Sequence, residues 1–375
     1  MAYTALARRY RSQDFDTVVG QEAVARTLAK AIEQGRVAHA YLFCGTRGVG
    51  KTSMARIFAK ALAGGSPEAD RAIMAGQDTD VIEIDAASNR GVDNARDLIA
   101  NAGYMPLRGK IKVYIIDEVH MLTKEAFNAL LKTMEEPPEH VKFILCTTEA
   151  NKVPPTIQSR CQRFDFRMIP ASSIAEHLRA VCAQEGVGAD EDVLLAVARL
   201  GAGSMRDALS LLDRLMAAGD ARLTLARLEE LLGLPDRELV GRLIDSIAAG
   251  DAKGALEAGD DLLRLGIGPE LAIESLASRL RDLMVLLVCG PRTTLLELSD
   301  IARQTEGERA ARFDAPALSS MIALCETAQR VCRESPAPRT MFDAALVRLA
   351  MSEKFADLTA LAAMAGRAAA PVGKA

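Results

Sequence analysis

Tryptophan is absent from this chain, and phenylalanine and tyrosine together supply only 4% of it. Its cores must therefore be packed through small and aliphatic side chains, which suits helix-rich domains in a sequence abundant in Ala and Leu. No run of about 20 uncharged apolar residues occurs, so no segment reads as a membrane span. The opening Met1-Ala2-Tyr3-Thr4, with arginines close behind, does not read as a secretory leader. The cysteines at 44, 146, 161, 182, 289, 325 and 332 form no Cys-x-x-Cys pair, and the scattered histidines add no ligand set. An odd, unpatterned set of thiols implies a reducing compartment, so a cytoplasmic protein without a zinc site is expected. A charge excess is missing too. With 46 Lys+Arg against 50 Asp+Glu the net charge is −4, so any nucleic-acid contact has to come from a local patch.

What is present begins with Gly45-Thr46-Arg47-Gly48-Val49-Gly50-Lys51-Thr52, which fits G-x-x-x-x-G-K-[ST] at every fixed position. By chance a chain of this length shows that pattern roughly once in a hundred. The apolar run Ala40-Tyr41-Leu42-Phe43-Cys44 precedes it and a helical stretch from Lys51 to Leu62 follows, the strand–loop–helix setting the motif requires. Backbone N–H groups of such a turn, aimed inward at a helix N-terminus, bind anionic oxygens. Lys51 is then expected to reach the β- and γ-phosphates of ATP, with Thr52 on Mg²⁺ and Ser53 beside it.

The first ~170 residues alternate strand-like and helix-like segments, as expected of a chain too long for one ordinary domain. Strands are expected at 40–44, 81–85, 111–117, 141–147 and 163–166, with helices around 22–34, 51–62, 92–101 and 124–136. Continuous apolar strands between helices argue for a parallel sheet covered on both faces. After Pro170 only helical periodicity remains, and Ser173-Ile174-Ala175-Glu176 reads as a capping box opening one helix. Gly201-Ala202-Gly203-Ser204 separates two more, and Gly233-Leu234-Pro235 marks a further boundary. The expected organisation is an α/β P-loop domain over 1–170, a small helical domain over 171–233, an all-α domain over 234–357 and a flexible end over 358–375.

The strand Val113-Tyr114-Ile115-Ile116 delivers Asp117-Glu118 about 65 residues after the loop, at the strand end where open α/β sheets place ligands. An acid there suits Mg²⁺, and its neighbour suits the polarisation of an attacking water. Thr147-Thr148 end the next strand, and Thr148 is the better candidate to sense phosphate or orient water.

Further motifs carry a resemblance. They are Val18-Val19-Gly20-Gln21, His39-Ala40-Tyr41-Leu42-Phe43, Asp117-Glu118-Val119-His120-Met121-Leu122, Glu135-Glu136-Pro137-Pro138, Ser159-Arg160-Cys161 and Gly203-Ser204-Met205-Arg206-Asp207-Ala208. With the P-loop they resemble the gamma/tau subunit family of the bacterial DNA polymerase III clamp loader, which are AAA+ ATPases. The likeness is dense to about residue 215 and looser through the helical remainder, where that family has its lid's successor, the collar.

The resemblance implies an ATP-hydrolysing subunit that loads a sliding clamp onto primer-template DNA. Its partners would be delta-type and delta-prime-type subunits and copies of itself. Arg160 would be an arginine finger directed into a neighbour's ATP, and Arg206 would be a second sensor of the γ-phosphate. Arg11, Val18 and Val19 would line the base and ribose pocket, while Asn89, Arg90 and Arg96 would face DNA. Two departures stand out. The zinc-binding cysteines common in the family are replaced by a short stretch from Ala63 to Asp80, and the usual Arg-Pro near the N-terminus is Arg11-Ser12. The chain also stops where a longer tau form would continue, so it resembles the short form. Alternatives are a nucleotide-binding structural subunit without hydrolysis, or another AAA+ DNA remodeller.

Overall fold

The structure, a computed structural model, describes residues 4–88, 103–219, 222–233, 235, 237–293, 295–296, 298 and 300–351. The helix expected at 92–101 and the end at 358–375 lie outside the described residues. The chain divides into two compact units, one of residues 1–188 and 194–221, the other of 189–193 and 222–375. No helix among the described residues is long and apolar enough to cross a membrane.

The first unit is built on a five-stranded sheet. After α1 (Leu6–Arg9) and α2 (Glu22–Glu33) come β1 (Ala40–Cys44), α3 (Lys51–Ala63), α4 (Pro67–Ala75), β2 (Val81–Asp85) and β3 (Lys112–Asp117). Then follow α5 (Lys124–Glu135), β4 (Val141–Thr147), α6 (Pro155–Gln158) and β5 (Gln162–Asp165). Strand order is β2-β3-β4-β1-β5 and every neighbouring pair is parallel. In the central strands both faces are buried, which is why they read as largely apolar runs. Leu42, Tyr114, Phe143 and Leu145 face Phe127, Leu130 and Met134 of α5. Their strand neighbours Tyr41, Phe43, Val113 and Ile144 face the other way, onto Leu28 of α2 and Met54 and Phe58 of α3. The register pairs Cys44 with Thr147 and Asp85 with Asp117, so the C-terminal strand ends share one edge.

Several details differ from the sequence expectation. The β3 strand starts one residue later, at Lys112, and two-residue strands at Gly188–Ala189 and Arg222–Leu223 interrupt the helices expected after Pro170. The stretch after α3 holds the nine-residue α4, with Ser66 capping the N–H of Ala69, Pro67 at its first turn and left-handed Gly76 closing it. The β5 strand starts one residue earlier, at Gln162. The helix α7 (Ala171–Glu185) is entered from Pro170, placing Ser173 inside its first turn rather than at the cap. Two helices complete this part, α8 (Glu191–Leu200), which straddles the two units, and α9 (Met205–Ala217), capped by the Ser204 side chain.

The second unit is helical: α10 (Leu225–Leu232), α11 (Arg237–Ala248), α12 (Ala252–Arg264), α13 (Pro269–Cys289), α14 (Asp300–Ala310), α15 (Ala315–Glu334) and α16 (Pro338–Ala350). Leu276, Leu280 and Leu283 recur on one face of α13 and join Leu318, Met321 and Cys325 of α15 in a single core. Gly259 lets α12 approach α16 closely, since a Cβ there would sit 2.4 Å from Leu346 Cδ1. Small residues thus supply the close packing that the scarce aromatics cannot.

Candidate functional site

Beyond Cys44 the backbone turns through the glycine-rich loop at the sheet's C-terminal edge. Gly50 is left-handed (φ +100°) and caps α3. Gly48 is also left-handed, and a Cβ on it would lie 1.8 Å from Ser204 Oγ, so only glycine allows the start of α9 this close to the loop. Lys51, the first residue of α3, is 6% exposed, and its ammonium donates to the carbonyls of Gly45 and Thr46 at 2.8 Å each. Burial lowers its pKa.

One residue on, Thr52 Oγ1 donates to Asp117 Oδ2 at 2.7 Å. Burial pushes the Asp117 carboxyl up, while the Thr52 hydroxyl and the Glu118 N–H hold it partly down. Glu118 follows in a left-handed conformation (φ 47°, ψ 45°), uncommon for a residue with a side chain. Its Oε2 accepts from Thr148 Oγ1 at 3.1 Å.

These groups open onto a cavity of about 500 Å³ within the first unit, in the size range of small-molecule sites. Arg47 through Ser53 line one wall with Asp117 and Glu118; Arg11, Val18 and Val19 line another; Arg206 enters from the second position of α9. Gly45 and Thr46 join through their carbonyls on Lys51, and Thr148 joins through Glu118. Burial lowers the pKa of Arg11, and nearby Arg56 pushes the same way.

The cavity also takes in Arg8, Tyr10, Arg56 and His177, which sequence reasoning did not single out. Arg56 lies four residues after Thr52 on the same face of α3 and clamps both carboxylate oxygens of Glu83, at 2.6 and 2.7 Å. That spacing was a usable signal. Nothing local marked His177, whose pKa burial lowers. Arg160 is not brought into this cavity. Its guanidinium donates to Glu135 Oε1 and to the Thr156 carbonyl, both at 2.7 Å. Asn89, Arg90 and Arg96 lie outside the described residues.

The donor set fits a nucleotide with a hard divalent cation. A hydroxyl and a half-buried carboxylate stand together and would serve as oxygen ligands for Mg²⁺, which keeps several waters and shares a phosphate. A desolvated cation one residue away and a ring of loop N–H groups suit the phosphates themselves.

Residues 20–170 match the model for "DNA polymerase III, delta subunit", and 173–221 match "DNA polymerase III clamp loader subunit, ATPase lid domain". Residues 223–364 match "DNA polymerase III subunits gamma and tau domain III". The DNA polymerase III subunit gamma of Buchnera aphidicola is 38% identical over 286 residues, covering 74% of this chain and 79% of that protein. The chain belongs to the DNA polymerase III gamma/tau family. Within this gamma/tau family, subunit tau of Bacillus subtilis is 40% identical over 373 residues, 96% of this chain. The chain spans 65% of that relative's length. Among solved structures, the Thermotoga maritima RuvB Holliday junction branch migration motor covers 62% of this chain and 78% of its own, at 18% identity and TM-score 0.49. A likeness of that size carries no functional argument.

Proposed function

We propose that this gamma/tau chain is an ATP-hydrolysing subunit of the bacterial replicative clamp loader, working in the cytoplasm to load a sliding clamp onto primer-template DNA. The observation that carries this is the convergence of Lys51, Thr52, Asp117, Glu118 and Arg206 on one cavity. The partners are loader subunits of delta and delta-prime type, further copies of this chain, the clamp and DNA. The division of labour follows 1–170 for nucleotide, 171–233 for the lid that carries Arg206, and 234–357 for the collar.

Each residue's part follows from its position. The loop N–H groups from Gly45 to Ser53 and the Lys51 ammonium bind the phosphates of ATP; Arg11, Val18 and Val19 bind its base and ribose. Thr52 and Asp117 would hold Mg²⁺, which when bound supplies charge neutralisation at the phosphates. Glu118 accepts a proton from the attacking water, with Thr148 orienting the carboxylate. Arg206 carries the state of the γ-phosphate into the helical part that bears it. Arg160, tied to Glu135 away from its own cavity, serves the ATP of a neighbouring subunit, where a permanently charged guanidinium binds phosphate in a fork.

The test is ATP turnover by the chain assembled with partner subunits and clamp, with and without primed DNA. Primed DNA should stimulate hydrolysis. Glu118→Gln should retain ATP binding while turnover falls about 10²–10⁴-fold. Turnover at the wild-type rate in Glu118→Gln, or no response to primed DNA and clamp, would defeat the reading.

A further inference from the structure

Glu118 stands on a backbone that few residues with side chains adopt, and its three side-chain torsions leave the carboxylate free to wander unless something fixes it. One restraint is Thr148. A second polar group beside the same oxygen is His120, whose Nδ1 lies 3.5 Å from Glu118 Oε2. His120 sits in the single turn Val119–Met121 that follows Glu118, and only 6% of its side chain is exposed. Its ring is surrounded by oxygens. Nδ1 is 3.0 Å from Thr147 Oγ1, and that hydroxyl oxygen also accepts the N–H of Glu149 at 3.0 Å. Nε2 is 3.4 Å from Glu149 Oε1, and Glu149 is paired at the surface with Lys152 at 2.8 Å.

A buried ring that served only to fill space would be apolar, since polar atoms in the interior lose stability unless paired. Here both nitrogens face oxygen atoms of groups fixed at the end of β4 or in the turn beyond it. We propose that His120 is a positioning residue for Glu118: its imidazole, anchored on Thr147 and Glu149, fixes the carboxylate where Thr148 also reaches it. The proposal rests on the reading of Glu118 as the group that takes the proton from water. Its consequence is that the orientation of the base depends on the Glu149–Lys152 pair at the surface, through one ring.

Displacing a reacting group by about 1 Å costs about 10²-fold in rate. His120→Ala should therefore lower kcat for ATP by about 10–100-fold, with KM and the affinity for a non-hydrolysable ATP analogue nearly unchanged. His120→Asn places an amide nitrogen near the position of Nδ1 and should recover most of the rate. His120→Phe keeps the ring volume without nitrogens and should not. In a Glu118→Gln background the His120→Ala change should add no further loss, because the group it positions is already gone. All variants are compared as the full chain, alone and assembled, with thermal melting recorded so that a folding defect is recognised separately. Full activity in His120→Phe with none in His120→Asn would make the ring a packing residue and overturn the proposal. So would an additive loss in the double variant, or a loss of analogue affinity matching the loss of rate. Wild-type turnover in Glu118→Gln alone would instead overturn the proposed function, and is read from a different variant.

Discussion

In the helical unit Glu306 is buried, and its carboxylate meets the guanidinium groups of Arg279 and Arg309. In the nucleotide unit Lys51 is buried about as deeply, and its ammonium donates to two neutral carbonyls of its own loop. Burial lowers the pKa of both Arg279 and Lys51, but Arg279 has a carboxylate in direct contact to offset this. Backbone follows the same division. Among the described residues the left-handed non-glycine positions are Glu118 and Ala202, both in the first unit. The helical unit thus sets a carboxylate against its buried guanidinium groups, with Arg279 Nε left without a hydrogen bond, and packs regular helices on a leucine core. The nucleotide unit holds Lys51 against neutral carbonyls and carries left-handed backbone at Glu118, at the end of β3, and at Ala202, between α8 and α9.

Arg160 offers the largest effect by which to break this comparison, because among the described residues its acid partner is Glu135, which lies away from its own cavity. Fingers supplied across an interface are worth roughly 10³–10⁵ in rate. Arg160→Ala should leave the isolated chain's ATP affinity nearly intact and sharply reduce DNA-stimulated hydrolysis in the assembly. Mixing Arg160→Ala chains with Lys51→Ala chains should retain activity only where an intact loop faces an intact Arg160. Activity simply proportional to the fraction of fully wild-type chains would place Arg160 in cis.

Next in size is the charge of the helical unit. Glu306→Gln leaves Arg279 buried without its carboxylate, and loss of one partner of a buried pair costs about 3–5 kcal/mol. Chemical denaturation should show that loss while nucleotide affinity stays unchanged. A stability change within experimental scatter would mean that the pair is not what stabilises this core.

The two glycines of the loop sharpen the comparison at intermediate scale. Gly50→Ala meets no atom within 4 Å and should cost only the left-handed backbone, about 1–2 kcal/mol. Gly48→Ala adds a clash with Ser204 and should lose more stability, with nucleotide affinity falling as the start of α9 is pushed away. Equal effects in calorimetry would show that the close approach of α9 to the loop is not rigid.

The smallest effect has the opposite sign. The folded-state pKa of Asp117 is raised, so its contribution favours folding below the unfolded carboxyl value and is lost as pH rises through the folded value. At neutral pH the ionised group therefore costs stability. Asp117→Asn should raise the nucleotide-free melting temperature at neutral pH. The gain should vanish as pH falls toward about 4, and Mg²⁺-dependent nucleotide affinity should fall. A destabilised Asp117→Asn protein at neutral pH would show that the Thr52 hydrogen bond outweighs desolvation.

By itself the sequence determined the sheet and the loop, because those rest on local rules. Two-faced burial makes β1, β3 and β4 mostly apolar, with Lys112 opening β3 and Lys142 near the start of β4, and a phosphate-binding turn needs glycine and lysine at fixed spacing. It also held signals that sequence reasoning passed over. Ser66-Pro67 and Gly76 bracket α4 as a cap, a first-turn proline and a left-handed stop within the shortened stretch from Ala63 to Asp80. Ser173 had the spacing of a capping box, yet the helix starts at Ala171, because Pro170 already fixes a backbone angle suited to its entry. What only the tertiary structure decided are the meetings between segments that no motif links: Thr148 with Glu118, Thr147 and Glu149 with His120, and Arg8, Tyr10 and His177 around one cavity. Such pairs are set by strand register and by which helix packs on which strand end, and those are properties of the folded sheet.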